Sequence, residues 1–223
     1  MRALPLLMSL IGVTFVSNAA PLGGASSTSS LWPLAASLGA RQAVARVEVF
    51  SSTTVKKRPP LRILEQEIFP GARWRPERLG TGIAYQARRG TRFGRIAYVP
   101  VQGALTLVCA TGRTVAAAAI DGALAAAPTP PCGLRQEQVT LYASLPRRPT
   151  AGAVRGALRR LGAVERGLVH GPAGLLALAQ LPGDGPMVAI GGVPMNLAVE
   201  ITYDNAHGAR AVLATPTLPG SGP

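Results

Sequence analysis

Residues 195–203 read Met-Asn-Leu-Ala-Val-Glu-Ile-Thr-Tyr and form the clearest β-strand pattern in the chain. Apolar and polar side chains alternate along them, as they do in a strand with one buried face. Residues 204–208, Asp-Asn-Ala-His-Gly, predict a turn, and residues 209–215 predict the partner strand, which Pro216 ends. The fold is therefore expected to contain an antiparallel sheet built from hairpins.

The same alternation recurs upstream and predicts further strands. The sequence Arg89-Gly90-Thr91-Arg92 predicts the loop of another hairpin. The strands are predicted at about residues 45–49, 83–88, 93–101, 105–110 and 139–143.

Helical spacing of apolar residues and helix-stop signals predict several helices. Ser30 is placed to cap the first, and Thr111-Gly112-Arg113 is interpreted as a turn into an alanine-rich helix. Residues 171–192 are interpreted as loop-rich, with one short helix inside them. Hairpin-linked strands around two to three packed helices indicate an α+β fold with a mostly antiparallel sheet. The helices are predicted at about residues 31–38, 61–69, 114–127, 154–161 and 175–181.

The first nineteen residues have the pattern of a signal peptide. Met1 and Arg2 form a short positive start, an apolar run extends to Val16, and Ser17-Asn18-Ala19 offers a cleavage site. The apolar run is shorter than the roughly 20 residues that a membrane-spanning helix needs, which favours a signal peptide. Because the leader has no twin arginine, export by the Sec route is expected. An uncleaved membrane anchor is the alternative. The chain is expected to be secreted or extracytoplasmic, in the cell envelope, with no transmembrane segment after leader cleavage.

The rest of the chain divides into a linker, a body and a tail. Residues 20–30 are interpreted as a flexible linker of small residues, and residues 217–223 as a disordered tail. Residues 31–216 form the α+β domain, which a Pro-rich break divides into two halves at about 31–127 and 134–216.

The charge of the chain is strongly positive and unevenly distributed. The net charge is +13, and residues 41–100 hold 13 basic and 4 acidic residues. Such a basic half predicts an anionic partner, although a solvated basic surface that only keeps the protein soluble would have the same composition. The candidate binding residues on this ground are Lys56, Lys57, Arg58, Arg88, Arg92 and Arg95.

No familiar motif of a catalytic or metal site occurs in the sequence. Gly-x-Ser-x-Gly, Ser-x-x-Lys, Gly-Lys-Ser/Thr, His-Glu-x-x-His and Cys-x-x-Cys are all absent. The two histidines, His170 and His207, are placed in glycine-flanked loops with no carboxylate or cysteine at ligand spacing. We therefore expect a non-enzymatic protein with no cofactor and no metal. A hydrolase site assembled from the distant residues Ser144, His170 and Asp184 is the alternative.

Cys109 and Cys132 are the only cysteines of the chain. In an exported protein they are candidates for a disulfide, which would close a loop of about 24 residues and stabilise the fold by about 3 kcal/mol. The alternative is two separate thiols, with Cys109 in the core and Cys132 in the Pro-rich turn.

Three stretches resemble one known family. Residues 195–199, then Tyr203, then Ala214-Thr215-Pro216, resemble the C-terminal signature of the YwmB family, exported proteins of spore-forming Firmicutes. Residues 31–35, Leu-Trp-Pro-Leu-Ala, resemble the start of its mature domain, and residues 107–112, Leu-Val-Cys-Ala-Thr-Gly, resemble its step into the middle helix.

The resemblance implies the two-layer architecture of TATA-box-binding proteins, because the family is catalogued under that fold likeness. It also adds Asn196 and Tyr203, which lie in the signature, to the candidate binding residues. The chain is expected to be an exported, non-enzymatic cell-envelope protein that binds an anionic cell-wall polymer, a lipid surface or an envelope protein. The alternative is a nucleic-acid-binding protein of the TATA-box type, which is less favoured because an exported chain meets little DNA.

Overall fold

The computed structural model describes residues 14–16, 30–79, 82–101, 104–133, 135–182, 187–190, 192–204 and 208–215. Within them the fold is α+β, with strands in antiparallel pairs and four α-helices, which confirms the predicted fold class. The predicted cleavage site after Ala19, nearly all of the predicted linker and the predicted tail lie outside the described residues.

The secondary structure elements follow one another in this order along the chain. The strands are β1 Thr14–Val16, β2 Ala43–Val55, β3 Trp74–Leu79, β4 Gly82–Arg89, β5 Arg92–Val101, β6 Ala104–Ala116, β7 Gln136–Leu145, β8 Val164–Gly171, β9 Gly174–Gln180, β10 Met187–Ile190, β11 Val193–Met195, β12 Leu197–Tyr203 and β13 Ala209–Thr215. The α-helices are α1 Leu31–Ser37, α2 Leu61–Ile68, α3 Ile120–Ala125 and α4 Ala151–Arg160, and a short 3₁₀ helix, Ala117–Ala119, precedes α3.

The chain folds into two compact units. Gln42–Leu141 forms one, and Met1–Arg41 with Tyr142–Pro223 forms the other. We call the first the basic unit, because it has 14 basic and 6 acidic residues, and the second the terminal unit. This division differs from the predicted halves, because α1 packs against β13 and α4 and so belongs with the C-terminal strands.

The basic unit is built on a sheet with the strand order β3-β4-β5-β6-β2-β7. The central strands β2 and β6 pair antiparallel from Val44 opposite Ala116 to Val55 opposite Leu105. β4 and β5 form the predicted hairpin, in which Gly90 takes a φ of 61°. Glycine suits this position because a side chain would strain the left-handed backbone.

Helices α2 and α3 cover one face of this sheet. Leu64 and Ile68 of α2 join Ile96 of β5 and Cys109 of β6 in one apolar core. α3 packs against β2 and β6, and its Ala123 lines a cleft together with Ile68, so both helices lie on the same face. Because side chains alternate between the two faces of a strand, the intervening residues face away from both helices.

Cys109 and Cys132 form a disulfide with Cα atoms 5.9 Å apart, which decides between the two alternatives that the sequence left open. The bond joins β6 to the Pro-rich loop after α3. Ser51 holds the same loop, because its hydroxyl donates to the Pro130 carbonyl at 3.2 Å and accepts from the Cys132 amide at 3.1 Å. These bonds fix the loop over the core side of the sheet.

Three of the predicted helices are confirmed: α1, α2 and α4 correspond to those expected at 31–38, 61–69 and 154–161. Ser30 is the N-cap residue of α1, but its side chain makes no capping hydrogen bond. The Thr150 hydroxyl caps α4 by accepting from the Ala153 amide at 3.2 Å.

The predicted turn at Thr111-Gly112-Arg113 is wrong, because these residues lie inside β6. Strands on both sides hold them there: Gly112 lies opposite Phe93 on β5 and opposite Glu48 on β2. Two-sided pairing overrides the turn preference that a glycine has on its own. The alanine-rich helix is correspondingly short and is limited to α3.

The predicted helix at 175–181 is also wrong, and the predicted loop over residues 171–192 is wrong where β9 and β10 lie. β8 and β9 form a hairpin there, and β9 pairs with β12 on its other side. Residues 174–180 alternate in burial, with Leu175 and Ala177 in the core. Nearly every residue of this segment is apolar, so the period of two was hidden in the sequence.

The terminal unit contains strands in the order β7-β13-β12-β9-β8 and a separate small sheet with the order β1-β10-β11. The hairpin predicted from residues 195–203 is confirmed, because Ala198 lies opposite Ala214 and Tyr203 lies opposite Ala209. The middle of the predicted turn between these strands, at 205–207, lies outside the described residues.

β1 lies within the predicted leader. It pairs antiparallel with β10, with Thr14 opposite Ala189 and Val16 opposite Met187. Cleavage after Ala19 would remove this strand and leave β10 paired with β11 alone.

Candidate functional site

Lys56, Lys57 and Arg58 lie in the exposed turn that follows β2. The guanidinium carbon of Arg58 is 5.5 Å from the ring centroid of Tyr98. The Tyr98 hydroxyl donates to the Pro59 carbonyl at 3.2 Å, so the turn is tied to the core beneath it.

Tyr98 is held in its neutral form at this contact. Burial raises the pKa of Tyr98 above its ordinary value of 10.0, the neighbouring Tyr85 adds to the rise, and Arg58 opposes it. The phenol therefore keeps its proton near neutral pH and continues to donate to Pro59.

Arg88, Arg92 and Arg95 lie on the β4–β5 hairpin, at the other end of the sheet from that turn. Arg92 lies opposite Arg113 of β6, which in turn lies opposite Val47 of β2. Val47 is eight residues before the end of β2, which corresponds to about 26 Å along the strand. The basic candidates of this unit therefore form two separate clusters and not one patch.

Strand alternation divides the hairpin arginines between the two faces of the sheet. Arg92 lines the cleft between the two helices, whereas Arg88 and Arg95 share the opposite face. We call that opposite face of β2 to β6, on which neither α2 nor α3 lies, the helix-free face. Its members used below are Arg46, Glu48, Phe50, Arg75, Gln86, Arg88, Phe93, Arg95 and Ala110.

One row of directly opposed residues crosses five strands of the helix-free face. In spatial order the row consists of Arg75, Gln86, Arg95, Ala110 and Phe50. Arg75 and Gln86 are exposed, and Arg95 and Phe50 are half-buried. Arg75 and Arg95 are two strands apart, so about 10 Å separates the backbones that carry the two guanidinium groups.

An aromatic ring on the helix-free face is fixed by a glycine and a cation. The ring of Phe93 occupies the space over Gly112, where a Cβ would overlap with it. The guanidinium carbon of Arg46 lies 4.2 Å from the centroid of this ring, and Arg46 Nη2 is 3.2 Å from a carboxylate oxygen of Glu48. Phe93 is thereby held half-buried beside positive charge.

Most arginines of the basic unit form no ion pair with a carboxylate among the described residues. The ion pairs among the described residues are Arg46–Glu48, Arg135–Glu137 and Arg155–Glu165. None of them includes an arginine of the β4–β5 hairpin. The Nε atom of Arg95 is buried and has no hydrogen-bond partner within the described part of the chain.

Asn196, in the terminal unit, is fully buried, with 0% of its surface exposed. Its Oδ1 accepts from the Leu181 amide at 2.7 Å, and its Nδ2 donates to the Leu181 carbonyl at 3.4 Å. The side-chain amide thus satisfies both backbone groups of the residue that follows β9. The interpretation of Asn196 as a surface binding residue does not fit this geometry.

Tyr203 is half-buried, and its contacts lie within the terminal unit. Its hydroxyl donates to the Pro149 carbonyl at 3.0 Å and lies 3.2 Å from His170 Nε2. The guanidinium carbon of Arg148 is 5.5 Å from the ring centroid. His170 lies in β8 and not in the predicted glycine-flanked loop, because β8 pairs along β9 up to Gly171.

The residues of the hydrolase alternative are not brought together by the described structure. Ser144 is exposed on β7, and His170 is in contact with Tyr203. Asp184 and the second histidine, His207, lie outside the described residues. Within the residues that are described, no group of three or more His, Cys, Asp and Glu side chains could hold a metal ion.

Sequence reasoning missed Arg46, Phe93 and Arg113 as members of these surfaces. Arg46 was visible as a polar residue on the wet side of β2, but its stacking on Phe93 depends on the register of three strands. Arg113 was missed because it was placed in a turn. Arg46 and Arg113 both become visible only when β5, β6 and β2 are paired in register.

No family model and no curated protein matches this sequence. Membership of the YwmB family and the TATA-box-binding-like arrangement therefore stay predictions from the resemblance. In the described part of the chain, no helix is both long enough and apolar enough to cross a membrane.

Asn196→Ala is expected to lower the free energy of unfolding by about 2 kcal/mol, because it leaves two backbone groups of Leu181 unpaired in the core. Thr202→Ala, at an exposed position of β12, should change it by less than about 0.5 kcal/mol. Chemical denaturation of both variants measures the difference. An Asn196→Ala protein of unchanged stability with weakened ligand binding would contradict the structural role and support a surface one.

Proposed function

We propose that the protein is an exported, non-enzymatic component of the cell envelope that binds an anionic polymer through the helix-free face. The observation that carries the proposal is the set of arginines on this face that no carboxylate neutralises. Arg75, Arg88 and Arg95 belong to no ion pair among the described residues, and Arg75 and Arg88 are exposed. A polymer with regularly spaced phosphates or carboxylates offers the acceptors that these side chains lack.

The chemistry of the face favours a polymer over a single small anion. The guanidinium groups of Arg75, Arg88 and Arg95 are spread over three strands, so one small anion would contact one or two of them. A chain of anionic groups would contact several at once and release its counterions, which makes binding strong at low salt. Phe50 and Phe93 add half-buried aromatic surface next to these charges.

The extracytoplasmic location rests on two observations. Residues 1–19 have the composition of a leader, and Cys109 is bonded to Cys132. Disulfides persist in oxidising compartments outside the cytoplasm, so the bond supports export. Anionic wall polymers are abundant in such compartments, and anionic lipid surfaces and envelope proteins are the other partners of the same chemistry.

Nucleic acid is the second candidate, and one observation favours it. The helix-free face combines two half-buried phenylalanines with unpaired arginines on an antiparallel sheet, which is the combination that sheet-type minor-groove binders use. Export argues against this reading, since the protein would meet little genomic DNA.

The proposal is tested by binding in a salt series. The triple variant Arg75→Gln, Arg88→Gln and Arg95→Gln should bind teichoic acid or polyphosphate more weakly than the unmodified protein. The slope of log K against log salt should become shallower by about two to three units, because about one counterion is released per contact. Fluorescence anisotropy with labelled polymer measures both quantities.

A matched control removes the same charge from the terminal unit. Arg147, Arg159 and Arg160 are exposed there, so Arg147→Gln, Arg159→Gln and Arg160→Gln should leave the slope nearly unchanged. Equal losses in the two triple variants, or binding that salt does not weaken, would overturn the proposal. Retention of a TATA-containing duplex but not a scrambled one would favour the second candidate.

Export is tested separately by identifying the first residue of the protein as it is isolated from its own host. Protein recovered from the envelope or the medium should begin at Ala20, because cleavage is expected after Ala19. Mass spectrometry of the N-terminal peptide identifies it. Recovery of the intact chain, Met1 included, from the cytosol would refute the location.

A further inference from the structure

Three arginines stand side by side on the helix-covered face of the basic unit. Arg89 on β4 lies opposite Arg92 on β5, and Arg92 lies opposite Arg113 on β6. Neighbouring strands are about 4.8 Å apart, and like charges directly opposite each other destabilise a sheet. None of the three belongs to an ion pair among the described residues. The row therefore concentrates positive charge that the unit does not neutralise itself.

Local contacts hold two of these guanidinium groups in place. The guanidinium carbon of Arg92 lies 5.5 Å from the ring centroid of Phe69, and Arg113 Nη2 donates to the Gly122 carbonyl at 3.3 Å. A guanidinium has five N–H donors, so both groups keep donors for an outside acceptor. Their fixed positions reduce the entropy that binding would cost.

Arg92 and Arg113 line a cleft of about 260 Å³ between α2 and α3. The Thr111 hydroxyl in the same lining donates to the Pro128 carbonyl at 3.4 Å and is already engaged. The lining combines the two guanidinium groups with apolar side chains, which suits a ligand that is charged at one end and apolar at the other. The apolar part of the lining includes Val47, Ile68, Phe69, Ala123 and Ala126.

We propose that this cleft binds an amphipathic anion, a carboxylate or phosphate group carried on a short apolar chain. The anionic group lies between Arg92 and Arg113, where two guanidinium groups supply charge-assisted hydrogen bonds. The apolar chain packs on Ile68, Ala123 and Ala126. The site lies on the face of the sheet opposite to the helix-free face and uses different arginines, so it goes beyond polymer binding.

The test begins with a homologous series of probes. Hexanoate, octanoate and decanoate should bind with an affinity that rises about fourfold per added methylene until the cleft is filled. Inorganic phosphate, which has no chain, and octanol, which has no charge, should each bind at least about tenfold more weakly than octanoate. Octyl phosphate compared with octanoate shows which anionic group the site prefers. Isothermal titration calorimetry measures the affinities.

Substitutions in and beside the cleft test whether octanoate binds there. Arg113→Gln should weaken octanoate binding about ten- to hundredfold, because one charged donor group is lost while the glutamine amide still reaches toward Gly122. Arg89→Gln is the matched control, since Arg89 stands in the same row but does not line the cleft. Ala126→Leu, which keeps the charge and fills the cleft, should abolish the dependence on chain length.

Equal effects of Arg113→Gln and Arg89→Gln would overturn the proposal, as would an affinity that does not depend on chain length in the unmodified protein. Unchanged thermal unfolding of the variants shows that they remain folded. The triple variant of Arg75, Arg88 and Arg95 should bind octanoate normally. Failure of this site is therefore distinguishable from failure of polymer binding.

Discussion

The antiparallel pairing of β2 with β6 decides which side chains of the basic unit face the helices and which face away. Twelve residue pairs join these strands, and along them Val47 and Cys109 point to the core while Arg46 points to the other side. A slip of one residue would exchange the two faces. On the core side, Ser51 of β2 and Cys109 of β6 both hold the loop that contains Cys132. On the other side, Arg46 of β2 stacks on Phe93, whose ring packs over Gly112 of β6, so both faces favour the same register.

This register also determines on which face of the sheet each arginine lies. Arg88 and Arg95 are carried to the helix-free face, and Arg92 and Arg113 are carried to the cleft. Uncompensated like charges destabilise a compact unit through mutual repulsion. The basic unit nevertheless keeps 14 basic against 6 acidic residues. Its apolar core and its disulfide offset that repulsion, and the charge remains available to anionic ligands on both faces.

Local patterns in the sequence were sufficient for the fold class. Alternation predicted the β4–β5 hairpin, and the arginines follow from their positions next to its turn. Register could not be predicted, since it depends on partners distant in the chain. Gly112 was therefore interpreted as a turn, and the apolar strand at 174–180 was missed. Asn196 is a candidate binding residue in the sequence because a sequence motif does not show burial.

Chemical modification of arginine tests the central claim most directly. Phenylglyoxal labelling followed by mass spectrometry reports the accessibility of each arginine with and without polyphosphate. If the helix-free face is the binding surface, the polymer should protect Arg75 and Arg88, while Arg159 and Arg160 of the terminal unit stay reactive. Protection of the terminal-unit arginines alone, or no protection anywhere, would contradict the account.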